Sequence, residues 1–576
     1  MKCKRFTLLL ILLTTFLLAQ NELGKSDLPF EWSGQWGISQ TYGFSDWAGD
    51  WQIEGLTFDG NFSHWHQRYL IPFSESRDSS GTDSTTTSEL WYRRGDYNLD
   101  EFAFQFRSHD SRKRSVNIKA LKRNYDDWHG LLGPTTYFGA GGTIQQNYVL
   151  SFDLPVDSTE QWQTNIGYFK TSGMIPEEGS GDTSWVKGVS QRDEIIATSL
   201  VRSWERSKFK FQADLSTFGQ RLKHKSFASD PKWGMDLTAN WFNFFTEFKK
   251  NERLTLLAGV NTKYSAMSSD SLGNSSGLEV AGTVGIKKKI GLGELQIQGG
   301  AATIVQDTST FIYDFNYIVP IGKTYLSIST NRVLSTMPNQ MGVEQFSNIY
   351  GDANAGSQVQ SITKVSVFRN SAKTKLTGEY FHSKTSPHYY FKESWIVEMP
   401  ETINLIQVDQ GSISGLTWNA QLNWFRNWWI GARGVSFSIM PNGWGNGIQH
   451  QGRVELGINE LLFKKRMNAT ARIWFDYWSG RDNYVWKPAL NLGYYDYNAV
   501  VFSQNRTAIF NAEFKAVISS FEITYTMLNF LYAGKLLIEN YSGQTYTDEQ
   551  LTLEATPFFP TPKRLAYFSI RWNFLD

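Results

Sequence analysis

The sequence predicts an all-β chain, a large single-chain antiparallel transmembrane β-barrel of roughly 22–26 strands. Three observations predict it. Apolar and polar residues alternate with period two along the length of the chain. The composition is crowded with aromatics yet polar on average. A leader of the export type stands at the start, and an aromatic amphipathic strand stands at the end.

The leader comes first. Lys2, Lys4 and Arg5 form a positive n-region, Phe6 to Leu18 an apolar stretch, and Ala19 a cleavage residue, which predicts a signal peptide over 1–19 and a barrel over 20–576. The apolar stretch spans roughly 20 Å as a helix, too short for a hydrocarbon core of roughly 30 Å. The one cysteine, Cys3, lies in this leader, so the mature chain is expected to hold no disulfide, thiolate metal site or cysteine nucleophile. Without Lys2, Lys4 and Arg5 the basic count falls from 56 to 53 against 55 acidic residues, and this balance offers nothing to nucleic acid.

Composition narrows the class. Hydrophobic residues make up 41% and aromatics 15%, with 22 Trp, 26 Tyr and 40 Phe. Rings with polar tips suit a membrane–water interface, where one end is apolar and the other wet. Mean hydropathy is negative, which excludes a bundle of membrane helices and permits a barrel in which every second residue meets water. The long uncharged run from Gly130 to Phe152 carries Pro134, Gln145, Gln146, Asn147 and several glycines, the wrong content for a helix in lipid.

The alternation is explicit. Trp32, Gly34, Trp36, Ile38, Tyr42 and Phe44 stand against Glu31, Ser33, Gln35, Ser39 and Thr41. Phe102, Phe104 and Phe106 alternate with Glu101, Gln105 and Arg107; Trp162, Ile166 and Tyr168 with Gln161, Gln163 and Asn165; Phe209, Phe211 and Leu215 with Lys210, Gln212 and Asp214. The same holds for Leu254 to Val260, Leu416 to Trp424, Ala469 to Tyr477 and Phe521 to Met527. Such spacing is that of strands whose successive side chains face opposite ways. A soluble sandwich alternates too; unbroken repetition without a helical block favours a barrel.

Connections come in two kinds. Lys249–Glu252, Lys287–Lys289 and Lys464–Arg466 read as short basic turns, and Ser74–Ser88, Ser268–Gly277 and Leu334–Gln358 as long polar loops. This is the asymmetry of periplasmic turns and longer extracellular loops. Leu334–Gln358, with Gly342, Gly351 and Gly356, is the candidate constriction loop.

The final strand sets Phe568, Ile570, Trp572 and Phe574 on one face against Ser569, Arg571 and Asn573, and it looks like a C-terminal insertion strand. The stretch from Phe521 to Asp576 resembles the end of TonB-dependent-receptor-like barrels and related porins. In those, an Asn-Leu-like pair and a downstream Tyr precede a Pro-Arg stretch and a closing strand ending in Trp-x-Phe. Asn529-Phe530, Tyr541, Pro562, Arg564, Trp572 and Phe574 match here. The resemblance implies an outer-membrane location, outer-membrane lipid and the barrel-assembly machinery as partners, and transport. The chain departs from the full receptor type in being short for a plug plus a large barrel, with no plug-like segment visible.

Candidate chemistry is sparse. His64 and His66 share a strand face around Trp65 but lack a third metal ligand. Asp126, Asp127 and His129 cluster around Trp128, and His109-Asp110 precedes Ser111 and Arg112; both sets sit in one short stretch, whereas catalytic groups converge from distant strands. Asp78 to Glu89 lacks the ligand spacing of a calcium loop. No catalytic, metal or cofactor residue is therefore assigned. Trp32, Trp36, Trp424, Trp428 and Trp429 are read as interface aromatics; the alternative is a sugar track in the lumen, and their closeness to turns favours the girdle. The function expected is a porin-like channel or passive transporter for small hydrophilic solutes. The alternatives are a surface or assembly barrel without transport and, less favoured, a barrel-embedded hydrolase.

Overall fold

Alternation of the kind described leaves each strand one apolar and one polar face, and a sheet of such strands escapes unpaired edges by closing on itself. A computed structural model shows that closure. It describes residues 85–96, 98–125, 143–176, 188–226, 232–269, 273–305, 309–336, 349–350, 357–371, 373–396, 399–423, 425, 427–439, 450–479, 484–487, 492–495, 506–528, 530, 554–556, 559–560 and 565–575.

The barrel is a 22-stranded sheet. It begins with β1 (Thr85–Gly95), β2 (Asp100–His109), β3 (Ser115–Tyr125), β4 (Thr143–Pro155), β5 (Glu160–Pro176), β6 (Gly188–Arg206), β7 (Phe209–Ser226) and β8 (Lys232–Asn251). It continues through β9 (Leu254–Ser269), β10 (Gly273–Ile290), β11 (Gly293–Ile304), β12 (Ser309–Ile321), β13 (Thr324–Thr336), β15 (Ser357–Asn370) and β16 (Thr374–Ser386). It ends with β19 (Gly411–Asn423), β20 (Trp428–Ile439), β21 (His450–Leu462), β22 (Met467–Ser479), β25 (Arg506–Ile518), β26 (Phe521–Leu528) and β29 (Leu565–Leu575). Each strand pairs antiparallel with the next, and β29 pairs antiparallel with β1, Trp572 opposite Leu90 and Arg571 opposite Trp91. A second sheet is built from loop segments: β14 (Ile349–Tyr350), β17 (His388–Ile396), β18 (Met399–Val408), β23 (Tyr484–Lys487) and β24 (Leu492–Tyr495). A small hairpin joins β27 (Glu554–Thr556) to β28 (Phe559–Pro560). No helix of the described residues is long and apolar enough to cross a membrane.

The two rims differ. One carries only short turns, at 110–114, 156–159, 207–208, 252–253, 291–292, 322–323, 371–373, 424–427, 463–466 and 519–520. Several of these need a left-handed residue, supplied by Lys113, Ser207, Gly291, Gly322 and Ser519. The other rim carries the long connections, 126–142, 177–187, 337–356, 387–410, 480–505 and 529–564. The first described strand starts and the last one ends at the short-turn rim.

All three basic segments expected as turns lie at that short-turn rim, and Lys464–Arg466 falls in the turn 463–466. Lys249–Glu252 becomes a turn at 252–253. Lys287–Lys289 is not a turn: β10 runs on to Ile290, because Lys287 pairs with Glu294 at 2.8 Å and Gly291, at φ +59°, is where the chain can reverse. The loop expected over Ser268–Gly277 shrinks to 270–272, since its Ser and Asn residues extend the β9–β10 ladder, Ser268 opposite Asn274. The Thr-rich end of Ser74–Ser88 likewise joins β1, where Thr86 pairs with Ser108. Leu334–Gln358 becomes the connection 337–356 with β14 inside it; the rest of that connection, and with it the constriction expected there, lies outside the described residues. The signal peptide over 1–19, and the turn residues Trp424 and Arg426, lie outside the described residues.

The outward face is apolar. Phe102, Ile166, Ile196, Leu215 and Val260 are exposed, while the alternate residues Glu101, Asn165, Ser199, Asp214 and Ser216 are buried on the inner wall. Near the short-turn rim the outward aromatics form a band. Trp204 stacks on Phe211 at 5.2 Å, and Phe209 meets Phe211 at 5.8 Å and Phe248 at 4.7 Å. The Arg202 guanidinium lies 5.0 Å over Trp162 and 4.8 Å over Trp204 and pairs with Glu160 at 2.9 Å. On the closing strand Trp572 meets Phe521 at 4.8 Å and Phe574 at 3.8 Å. Glu160 and Lys170 point outward from one strand ten residues apart (170 − 160 = 10). At about 3.3 Å per residue and a tilt of about 40°, they bracket a belt about 25 Å high, the height of the hydrophobic band of a membrane barrel.

Two turns at the short-turn rim are held by exposed carboxylates. Asp110 accepts from the backbone N–H groups of Arg112 and Arg114, both at 2.9 Å, and from Arg114 Nε at 2.6 Å. Asp157 accepts from Thr159 Oγ1 at 2.7 Å and from the N–H groups of Thr159 and Glu160. The Arg114 side chain holds Asp110 below the ordinary carboxylate range, and the Thr159 hydroxyl does the same for Asp157. A depressed folded value means stabilisation that is present above the unfolded value and lost as pH falls through the folded one. Amide exchange at 110–114 and 156–159 should therefore stay constant from neutral pH into the usual carboxylate range, after correction for intrinsic exchange, and open only below it. Opening near neutrality would refute this.

Candidate functional site on the inner wall

Because side chains alternate, everything polar in these strands converges on the barrel interior. Around the wall the small polar groups pair across neighbouring strands. Gln105 Nε2 donates to Asn117 at 3.1 Å, Ser115 to Asp153 at 2.8 Å, Asn165 Nδ2 to Ser199 at 3.1 Å and Gln360 Nε2 to Ser383 at 3.1 Å. Such cross-strand pairs fix the register of a wall that has no apolar core behind it.

Charges on this wall come as opposite-sign sets. Arg472 holds Glu513 through two donors, at 2.9 and 3.1 Å, with Glu455 at 3.9 Å. Thr526 adds a hydrogen bond to Glu513 at 3.2 Å. The guanidinium groups of Arg472 and Arg453 flank the ring of Trp474 at 4.7 and 5.5 Å. At the closing seam Arg93 lies 4.6 Å over both Trp91 and Tyr567 and 3.7 Å from Glu101, while Arg571 pairs with Glu89. Lys364 and Ser366 meet Glu379 at 3.5 and 2.8 Å. Among the described residues these sets pair opposite charges and form no single-sign ring of the kind that selects one sign of ion.

One stretch of wall forms a recess of about 520 Å³ across β8 to β13. Phe245 gives it flat apolar surface and the almost fully buried Trp241 adds to its lining; Asn243, Asn261, Gln298 and Asp314 give it polar atoms; Lys263 and Glu279, joined at 3.0 Å, close one side. The buried carbonyl oxygens of Asn243 and Asn331 accept no hydrogen bond among the described residues. Each such orphan costs about 1–3 kcal/mol unless water or a ligand donates to it. Flat rings beside amides in a concavity of this volume suit a solute rich in hydroxyl or amide groups.

The residues singled out in the sequence divide. Phe568, Ile570, Trp572 and Phe574 lie together on the outer face, as expected of their spacing. Trp428 and Trp429, expected together at the membrane interface, point to opposite faces. Trp428 is exposed on the outside; Trp429 faces inward, its ring lying over Gly457, where a Cβ would come within 2.4 Å. Adjacent strand residues cannot share a face. Trp32, Trp36 and Trp424 lie outside the described residues, as do His64, His66, Asp126, Asp127 and His129. In the remaining cluster, Asp110 is taken up by its own turn and His109 is at a strand end. Of the stretch Asp78–Glu89, the part from Thr85 onward is strand β1. Among the described residues no group of three or more His, Cys, Asp and Glu side chains could hold a metal ion. The inner residues Trp241, Asn243, Arg472 and Glu513 carry no motif in the sequence; their one signal is membership of the inward phase of alternating strands.

No protein-family model matches the sequence, and no curated protein matches it. Solved structures do match the fold. The siderophore receptor PirA from Acinetobacter baumannii aligns with a TM-score of 0.61 at 8% identity, over 85% of this chain and 80% of that one. The FrpB iron transporter from Neisseria meningitidis gives 0.63 at 9%, over 86% and 83%. The ferric enterobactin receptor PfeA from Pseudomonas aeruginosa, in complex with enterobactin, gives 0.64 at 9%, over 86% and 82%. At these identities what is shared is the barrel.

Proposed function

We propose that the protein is an outer-membrane transporter that binds a hydrophilic solute on its inner wall and passes it through the lumen. The observation that carries this is the recess on β8 to β13, with orphaned amide oxygens beside Trp241 in a wall of balanced charge. The outward apolar belt bounded by aromatic bands favours a membrane setting, and the short-turn rim reads as the periplasmic one. Export by the leader, outer-membrane lipid around the belt and insertion by the barrel-assembly machinery follow from that setting. The porin-like expectation of unassisted diffusion is the finer part of this reading. The similar solved structures, two siderophore receptors and an iron transporter, weigh towards a transporter that first binds its cargo.

Vesicles containing the full chain should take up a small neutral sugar or amide faster than empty vesicles. Trp241→Ala should weaken saturable uptake roughly three- to tenfold, the worth of one aromatic contact. Uptake equal to that of empty vesicles would reject transport, whereas uptake insensitive to Trp241→Ala would reject the recess as its binding site. A second reading rests on the sheet that three loop segments build outside the barrel: a surface protein without transport. It predicts a folded barrel with no uptake and no conductance steps in a planar bilayer.

A further inference from the structure

We propose that a patch of cations on the outward face of β3, β5, β6 and β7 binds the phosphate groups of a lipid headgroup in the outer leaflet. This rests on the membrane orientation given above. The patch follows from register. Lys122 stands opposite Gln146, Gln146 opposite Lys170, Lys170 opposite Glu194, and Glu194 opposite Arg221. One outward position further on, Arg192 stands opposite Lys223. All lie on the face that carries Ile166 and Ile196, toward the long-loop rim. On β3 to β8 these five cations face two carboxylates, Glu194 and Asp236, an excess of three positive charges (5 − 2 = 3), and at the β2 edge Asp100 stands opposite Arg94 and leaves that excess unchanged.

The depth of the patch points to headgroups. One outward position nearer the belt, Tyr148 and Tyr168 pair across β4 and β5 with their rings 6.3 Å apart. Tyrosines at that depth mark the boundary between hydrocarbon and headgroups, where a ring keeps its hydroxyl wet. The cations begin one residue pair beyond, so their stems lie along the boundary and their charges reach the headgroup layer. Cations in the hydrocarbon would be costly, but at the boundary that cost nearly vanishes.

Internal pairing leaves the patch unsaturated. Arg192 is tied to Glu194, which also accepts from Tyr168 Oη at 3.2 Å, and Arg221 is held by Asp236 at 2.8 Å. These bonds hold the two guanidinium groups on the surface with donors to spare. Lys122 and Lys223 are exposed and have no side-chain partner among the described residues. Cations on alternate strands stand about 10 Å apart, so two lysines can reach two separate phosphates while an arginine grips one with paired donors. Charge complementarity and depth together select an anionic, phosphate-bearing lipid over a soluble partner.

The test uses the full chain in detergent, which makes it independent of orientation in a cell and of transport. Binding of a bis-phosphorylated glycolipid, of its dephosphorylated form and of inorganic phosphate would each be measured by native mass spectrometry or by competition. The variants are Lys122→Gln with Lys170→Gln and Lys223→Gln, Lys223→Gln alone, and the control Lys384→Gln on the outward face of β16. Gel mobility with and without heating would confirm folding of each. The phosphorylated lipid should bind in preference to its dephosphorylated form, and affinity should fall roughly fivefold per cation removed while the control stays unchanged. Equal binding of both lipid forms, an unchanged triple variant or an equal loss in the control would overturn the proposal. Competition by inorganic phosphate at the affinity of the lipid would show a free-anion site and overturn the lipid assignment.

Discussion

Replacing Ile166 by Arg should destabilise the membrane-inserted barrel by about 2–4 kcal/mol, the cost of a cation near the bilayer midplane on the lipid side of a barrel. Ile166 projects outward from β5 midway between Glu160 and Lys170, the charges that bracket the belt, and is 43% exposed. Gln163→Arg on the same strand is the informative contrast. Its side chain faces inward opposite Asp153, so a new guanidinium would gain a carboxylate neighbour and water, and the change should stay within about 1 kcal/mol. Urea unfolding from phosphatidylcholine vesicles would read both. Equal costs would mean that the outward face of β5 does not meet hydrocarbon, and the belt assignment would fail with it.

The sequence made the barrel legible because strand periodicity is local. Phe102 and Glu101, or Ile166 and Asn165, differ in environment simply by being neighbours, and no long-range knowledge is needed to assign their faces. Turn bounds were less legible. Lys287–Lys289 looked like a turn from charge alone, yet the reversal goes to the glycine that can adopt a left-handed backbone, and a lysine at a strand end can extend the ladder by pairing across it. Polar Ser and Asn at 268–277 looked like a loop, yet in a hairpin they complete backbone pairs as well as any residue. The inner-wall recess was not legible, for a different reason. Trp241, Asn243, Lys263, Glu279 and Asp314 come from four strands over 74 residues of chain (314 − 241 + 1 = 74), and only the register of those strands brings them to one height. Trp429 shows the same limit on a smaller scale: closeness to a turn fixes its height in the wall, while strand phase fixes its face.

The other large effect concerns assembly. Changing both Trp572 and Phe574 to Asp should reduce the yield of folded barrel at least tenfold when the chain is refolded into vesicles. The reason lies in where β29 sits. It is the one described strand that joins the end of the sheet to its beginning, pairing with β26 on one side and β1 on the other. Until it docks, both neighbours present open edges, which lipid cannot satisfy. The outward rings add the sideways contacts of the docked state, Trp572 on Phe521 and Phe574 on Trp572. Ring pairs of this kind are worth about 0.5–1.5 kcal/mol each, and each carboxylate placed at the boundary adds up to about 1 kcal/mol more. The sum reaches about 2–4 kcal/mol, enough for a shift of about thirtyfold to several-hundredfold if closure is under equilibrium control. Phe425→Asp provides the control, since Phe425 is an exposed ring in the 424–427 turn, outside the seam. Heat-modifiable gel mobility would count the closed barrels. An equal loss in the control would mean that general hydrophobicity drives insertion, and an undiminished yield in the double variant would mean that the backbone ladder alone closes the ring.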